Sequence, residues 1–231
     1  AVAISPDGQT LHLVWEERNR AIDRSIMYMS GTITDTGVNW HRPAVKLSTG
    51  VALPTWPTVA VDGGGGVHVA YGEQVQGVLP GQCQPLLNQY VRYIGRTPAG
   101  SWMASSVRID ASPMCVNASI PRDFAPRLLV TGRGNPEICA LWHGFRPSNV
   151  AEEVWISCSD DPALGWPSPP RNVSRSEEGQ EVSIWPAGVA DRMGNLHVVW
   201  QERTIDDSYT DYQIYYARSQ RMALPAVFRL N

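Results

Sequence analysis

A four-residue phrase written four times constrains this chain more than any other feature. His12-Leu13-Val14-Trp15 recurs as His68-Val69-Ala70-Tyr71, as Cys139-Ala140-Leu141-Trp142 and as His197-Val198-Val199-Trp200, at offsets of 56, 71 and 58 residues. A short apolar stretch precedes each copy: Val2-Ala3-Ile4, Val59-Ala60-Val61, Leu128-Leu129-Val130 and Gly188-Val189-Ala190. Turn residues stand between the two, as "SPDGQT", "DGGGG", "TGRGNP" and "DRMGN". Glycine supplies the positive φ of a tight hairpin, so each pair reads as two antiparallel strands. A third strand follows at 26–30, 90–94, 154–158 and 214–218, and a fourth at 40–48, 102–110, 166–174 and 225–231.

Four strands repeated four times, without helical periodicity, predict an all-β chain: a β-propeller of four-stranded antiparallel blades. The blades fall near 1–50, 51–112, 113–176 and 177–231 of a single domain, with innermost strands beginning near Val2, Val59, Leu128 and Val189. One such sheet cannot bury both its faces, and packing against neighbouring blades does so. The repeat is therefore a core-building device first, and on that reading His12, His68 and His197 are structural rather than catalytic or metal-binding.

Composition removes several functions. The 231 residues suffice for a full core, while a net charge of −3 and a single lysine, Lys46, leave no basic run to attract nucleic acid. No apolar run approaches the roughly 20 residues of a membrane-spanning helix. The chain opens at Ala1 with neither methionine nor signal segment, which reads as a processed or trimmed N-terminus.

The turns between third and fourth strands carry a second signal. "TDTGVNW", with Asp35, Gly37 and Trp40, resembles the Asp box of the sialidase-type (BNR) propellers, whose pattern is Ser-x-Asp-x-Gly-x-Thr-Trp. "SDDPALGW" keeps Ser159, Asp161 and Trp166 but has Ala163 in place of the glycine; the second blade keeps only Gly100-Ser101-Trp102, and the fourth has lost the motif. The resemblance implies that Asp35, Gly37, Trp40, Asp161 and Trp166 are structural: carboxylates accept turn N–H groups, and tryptophans plug between sheets. It also implies six blades where four are written here. Either four blades close without a clasp, or the chain is part of a larger ring.

Four cysteines and two Asn-x-Ser sequons, at Asn117 and Asn172, suggest an extracytoplasmic protein. Cys139 and Cys158 lie on strands two and three of the third blade, nearly equidistant from their hairpin loop. Cys83 and Cys115 fall in connections that emerge on one face. Of three possible connectivities, Cys83–Cys115 with Cys139–Cys158 is the expected one. Four buried thiols are the alternative, and the extracellular habit of the family weighs against it.

The long connections, 72–89, 110–124, 143–153 and 201–213, all emerge at the same end, which is where binding sits on a rigid scaffold. They and the adjoining strand ends hold the candidate binding residues Arg18, Glu73, His143, Arg146, Glu202 and Arg203, with Glu16, Glu17, Arg122, Asp123, Asp206 and Asp207 nearby. The sialidases need an arginine clamp that includes an Arg-Ile-Pro motif, a tyrosine nucleophile with its glutamate, and an aspartate. No Arg-Ile-Pro occurs; Ile120-Pro121-Arg122 has the residues in another order. Glu17, Glu73 and Glu202 recur at equivalent blade positions, as repeat inheritance would leave them.

The expectation is thus a non-catalytic extracellular propeller that binds a glycan, a peptide or a partner subunit on its loop face. No catalytic residue, metal or cofactor is assigned, since no Cys-x-x-Cys occurs and the spacing of the acidic loop 206–211 fits no standard calcium loop. The alternative is a sialidase-like exo-glycosidase whose catalytic groups lie partly outside this chain.

Overall fold

The computed structural model describes residues 1–20, 23–49, 53–75, 87–110, 114–116, 126–132, 136–144, 152–167, 169–175, 181–204, 212–220 and 223–230. They contain strands and turns and no helix. Blade 1 is β1 (Val2–Ile4), β2 (Thr10–Arg20), β3 (Asp23–Thr34) and β4 (Gly37–Lys46). Blade 2 is β5 (Leu53–Val61), β6 (Val67–Val75), β7 (Leu87–Arg96) and β8 (Val107–Arg108), with β9 (Met114–Val116) also paired to β7. Blade 3 is β10 (Arg127–Thr131), β11 (Glu137–Gly144), β12 (Glu153–Ser159) and β13 (Arg171–Asn172). Blade 4 is β14 (Glu181–Ala190), β15 (Leu196–Thr204), β16 (Gln213–Gln220) and β17 (Ala223–Leu230). Every sheet is an antiparallel meander in chain order.

Three details depart from the sequence reading. The innermost strands of blades 2 and 4 begin at Leu53 and Glu181, well before Val59 and Val189. Each continues through a bulge, between Thr55 and Thr58 and between Ile184 and Ala187. Second, Met114–Val116 pairs with Leu87–Gln89 and so belongs to blade 2, although the division at residue 113 assigned it to blade 3. Its partner lies far off in sequence, so no local pattern announces it. Third, two outer strands are shorter than expected. Blade 2 keeps only Val107–Arg108 and an Arg96–Trp102 bridge. In blade 3, Pro167, Pro169 and Pro170 offer no N–H, and the ladder shrinks to Arg171–Asn172.

The alternation of side chains along the second strands builds the core. Three buried clusters each lie between consecutive blades. Val14, Ile26 and Tyr28 of blade 1 meet Val69 and Tyr71 of blade 2. Ala70, Val91 and Tyr93 of blade 2 meet Ala140, Trp142 and Trp155 of blade 3. Leu129, Leu141 and Ile156 of blade 3 meet Val198, Trp200 and Ala217 of blade 4. At about 25 cal/mol per Å² of apolar surface, one buried tryptophan outweighs several turn hydrogen bonds, so these interfaces dominate stability.

The recurring histidines are structural partners of tyrosine and aspartate. His12 Nδ1 lies 2.8 Å from Tyr28 Oη, His68 Nδ1 2.7 Å from Tyr93 Oη, and His197 Nδ1 2.7 Å from Tyr216 Oη. His68 Nε2 is 3.0 Å from Asp62 and His197 Nε2 is 3.3 Å from Asp191. Asp62 in turn accepts the N–H groups of Gly64 and Gly66, both at 2.8 Å. A Cβ on Gly66 would run into that carboxylate. Asp191 does the same for Met193 and Asn195 at 2.8 and 2.9 Å. Burial pushes the Asp62 carboxyl up, but His68 and the two glycine N–H groups outweigh it and hold it below the usual carboxylate range.

The carboxylates that hold turns are thus Asp7, Asp62 and Asp191, between strands one and two, Asp7 accepting the Gln9 N–H at 3.0 Å. Asp35 is exposed, and the turn beside it is spanned by a 3.0 Å bond from Thr34 Oγ1 to the Gly37 carbonyl. Asp161 is exposed as well, and its carbonyl, not its carboxylate, accepts from Leu164 and Gly165. Of the Asp-box tryptophans, Trp40 is half-buried on β4, while those of the blade 2 and blade 3 turns pack between sheets. Trp166 meets Tyr93 of blade 2 edge-on at 5.4 Å, and Trp102 meets Tyr28 of blade 1 at 4.9 Å.

Cys139 and Cys158 are register partners on β11 and β12 and form a disulfide. Cys83 and the side chain of Cys115 lie outside the described residues, as does Asn117. Asn172 is half-buried on β13. Reducing the Cys139–Cys158 bridge, or replacing both residues with alanine, is expected to cost about 3 kcal/mol on the loop-entropy model for a span of this length. Denaturant unfolding with and without reductant checks it; coincident curves would refute the estimate.

Candidate functional site

At the loop end of three blades, the second strand carries a glutamate just past its aromatic position: Glu17, Glu73 and Glu202 follow Trp15, Tyr71 and Trp200 by two, and in blade 3 Gly144 follows Trp142. A two-residue step keeps the same face of the strand, so Glu73 and Glu202 share the face of the buried Tyr71 and Trp200 rings.

Glu202 is 4% exposed and accepts from Ser183 Oγ at 2.7 Å and from Trp200 Nε1 at 2.9 Å. Ser183 is its register partner on β14 and is fully buried. Glu73, also buried, accepts from Arg92 Nε at 2.7 Å; Arg92 and Tyr71 both reach Ser106, at 3.4 and 2.9 Å. In blade 3 glycine replaces the glutamate, and Trp142 Nε1 is left without a hydrogen-bond partner. A third buried carboxylate, Glu153, lies opposite Gly144 and accepts from Ser174 Oγ.

His143 projects toward blade 4 and is 2% exposed. Its Nδ1 accepts the backbone N–H of Trp185 at 3.3 Å, which leaves the ring proton on Nε2. Burial, and secondarily the Arg127 guanidinium, push its pKa down to about 3, so the imidazole is neutral at physiological pH. The residue it holds is unusual: Trp185 has φ 51° inside the β14 bulge, a conformation rare for a bulky side chain. Trp56 in the β5 bulge repeats it at φ 47° and packs against the blade 2–blade 3 core. Trp185 instead is 47% exposed and stacks on the 40%-exposed Tyr212, ring centroids 6.3 Å apart. The Arg203 guanidinium stands 6.0 Å from the Tyr212 ring.

Two of the sequence candidates, His143 and Glu202, therefore face each other's blades at the contact between blades 3 and 4, while Arg203, the next residue along β15, lies on the opposite face of the strand beside Tyr212. Glu73 sits in blade 2, bound to Arg92. Arg18 lies exposed on blade 1, its Nε 2.5 Å from Glu16, with Arg24 3.5 Å from the same carboxylate. Arg146, Arg122, Asp123, Asp206 and Asp207 lie outside the described residues. Ser183, Trp185, Tyr212 and Glu153 escaped the sequence reading. The repeated Trp-Pro pairs, Trp56-Pro57 and Trp185-Pro186, were the available signal for the bulges. The cluster Glu137, Cys139 and Cys158 has ligand-like spacing, but the disulfide removes both thiolates from metal binding.

No family model matches the chain, and no curated protein matches it in sequence. Its fold, however, is shared with solved glycoside hydrolases. A GH93 α-L-arabinofuranosidase of Fusarium graminearum, in complex with arabinobiose, superposes with a TM-score of 0.61 at 11% identity, over 99% of this chain and 65% of its own. An endo-arabinase from Bacteroides thetaiotaomicron gives 0.54 at 13% identity, over 100% and 79%. A thermostable family-43 glycoside hydrolase gives 0.54 at 11%, over 98% and 72%. The chain thus spans 65% of the length of the arabinofuranosidase. At these identities the likeness establishes the fold alone: an all-β propeller of the kind that glycoside hydrolases use. It does not single out the sialidase-type repeat that the Asp-box resemblance suggested.

Proposed function

We propose that the chain forms part of a glycosidase-type propeller that takes a sugar at the mouth between blades 3 and 4. The observation that carries this reading is the buried carboxylate of Glu202 at the loop end of β15, with the exposed Trp185–Tyr212 pair held at the same end by the His143 contact. Aromatic faces receive the C–H faces of a sugar ring, while a few fixed polar groups orient its hydroxyls. The shared fold of an arabinofuranosidase and an endo-arabinase favours this over the recognition-only role expected from sequence, and favours arabinosides over sialosides as first substrates to try.

Glycoside hydrolysis uses two carboxyl groups flanking the bond, one as acid and the other as base or nucleophile. Glu202 is one; Glu73, Asp110 and Glu153 are further buried carboxylates at this end among the described residues. Recognition without turnover is the second reading, favoured because Glu202, Glu73 and Glu153 each already accept a hydrogen bond from their own blade. The disulfide suits an oxidising, extracytoplasmic compartment. No helix among the described residues is long and apolar enough to cross a membrane.

The test is turnover of aryl α-L-arabinofuranoside and aryl sialoside, with arabino-oligosaccharide binding measured beside it. Turnover of the arabinofuranoside that falls by about 10²–10⁴-fold in Glu202→Gln supports hydrolysis at this site. Binding without turnover, weakened in Trp185→Ala, supports recognition. Neither binding nor turnover refutes both.

A further inference from the structure

One rule of register governs every interface inside the chain. On the second strands, the aromatic position and the residue two before it face the preceding blade. Val69 and Tyr71 pack on blade 1, Ala140 and Trp142 on blade 2, and Val198 and Trp200 on blade 3. The intervening residue faces the following blade: Val14, Ala70 and Leu141. The three receiving sites bury their aromatics almost completely, with Tyr71 at 1%, Trp142 at 0% and Trp200 at 1% exposure.

The same rule leaves one surface of each kind over. Leu13 and Trp15 occupy the aromatic-bearing positions of blade 1, and both are only half-buried. Val2 and Ile4, register partners of Leu13 and Leu11, are exposed beside them, and Met27 and Met29 complete the face. At the other end Val199 holds the position of Val14, Ala70 and Leu141 and is 37% exposed. Val189 and Ile214, which share its face, are exposed too. Solvent-facing apolar groups gathered in this way mark an interaction surface. Charges at the loop end are opposite as well: alternation puts Glu17 on the blade 1 face and Arg203 on the blade 4 face.

We propose that the open face of blade 4 seats the open face of blade 1 from a second copy of this chain, head to tail. Each half already meets its complement three times within the molecule, so the pairing needs no new chemistry. The two halves lie on different surfaces of one copy. The contact is therefore heterologous, and association continues beyond two unless the assembly closes into a ring.

Sedimentation equilibrium of the 231-residue chain over a wide concentration range tests this. The expected result is a mass that rises with concentration to at least twice 25.5 kDa. Leu13→Glu and Val199→Glu, each carrying one broken face, should be monomeric alone. Mixed together they should form a 1:1 pair and nothing larger, because each retains the face the other needs. Circular dichroism matching the parent shows that both variants fold, and Leu13→Ser with Val199→Ser replaces them if either does not. A wild-type chain that stays monomeric, a single variant that still self-associates, or a mixture that stays monomeric would each overturn the proposal.

Discussion

Replacing Trp142 with alanine is expected to lower the unfolding free energy by about 3–5 kcal/mol, the largest loss of any single substitution considered for this chain. The indole is fully buried between blades 2 and 3, among Ala70, Val91, Tyr93 and Trp155, and its removal leaves a cavity that β-sheets collapse poorly to fill. The informative comparison is with phenylalanine. Trp142 Nε1 has no hydrogen-bond partner, so Trp142→Phe removes an unsatisfied donor together with part of the ring, and the two effects partly cancel. Trp200 holds the same position in blade 4, but its Nε1 donates to Glu202. Trp200→Phe should therefore cost more than Trp142→Phe, by about 1–3 kcal/mol for the donor taken from a buried carboxylate. Denaturant unfolding of the three variants checks the ordering. Equal costs for the two phenylalanine substitutions would show that Gly144 in blade 3 and Glu202 in blade 4 make no energetic difference.

That contrast also separates what the sequence shows by itself from what depends on the fold. The repeated phrase exposed the blades because strand alternation is local: Leu13, Val69, Ala140 and Val198 share a face whatever surrounds them. The disulfide between Cys139 and Cys158 followed from the same reasoning, since equal distance from a hairpin loop places two residues opposite each other. What failed to show depends on contacts remote in sequence. The strand at Met114–Val116 exists because of a partner at Leu87–Gln89. The positive φ of Trp56 and Trp185 arises from bulges, and the Trp-Pro pair that marks them also occurs at Trp166-Pro167, outside any strand. The Asp-box pattern points to Asp35 and Asp161, while the turn-holding carboxylates are Asp7, Asp62 and Asp191, recognisable only once their N–H partners are in place. At the candidate site, Glu73 and Glu202 were visible as repeat positions. Ser183 and Tyr212 became candidates only through neighbours on other strands, and Trp185 through one on another blade.

The second large effect is a loss of stability in mild acid, and its sign follows from burial. His143 is pushed down to about 3 by burial and by Arg127. His12 and His68 are also lowered, mainly by burial, with Arg96 adding to the first and Asp62 opposing it at the second. Below the ordinary histidine value of 6.5 the unfolded chain takes up protons that the folded chain refuses, so stability falls as pH falls. For His143 the loss begins near pH 6.5 and runs down to about 3, at about 1.4 kcal/mol per pH unit while the folded ring stays neutral. Asp62 and Asp191 are held below the usual carboxylate value of 3.8, so their own contributions are lost only below it. Between these aspartates and the histidines, the window from pH 6.5 to 4 belongs to the histidines. His143→Gln isolates one of them, because a glutamine carbonyl can still accept the Trp185 N–H while carrying no titrating group. Urea unfolding at a series of pH values across that window should give a steep dependence for the parent. For His143→Gln the dependence should be shallower by about 1.4 kcal/mol per unit. Parallel profiles would mean that the imidazole takes up its proton in the folded chain as readily as in the unfolded one. The dry, neutral contact between blades 3 and 4 on which the candidate site is built would then be wrong.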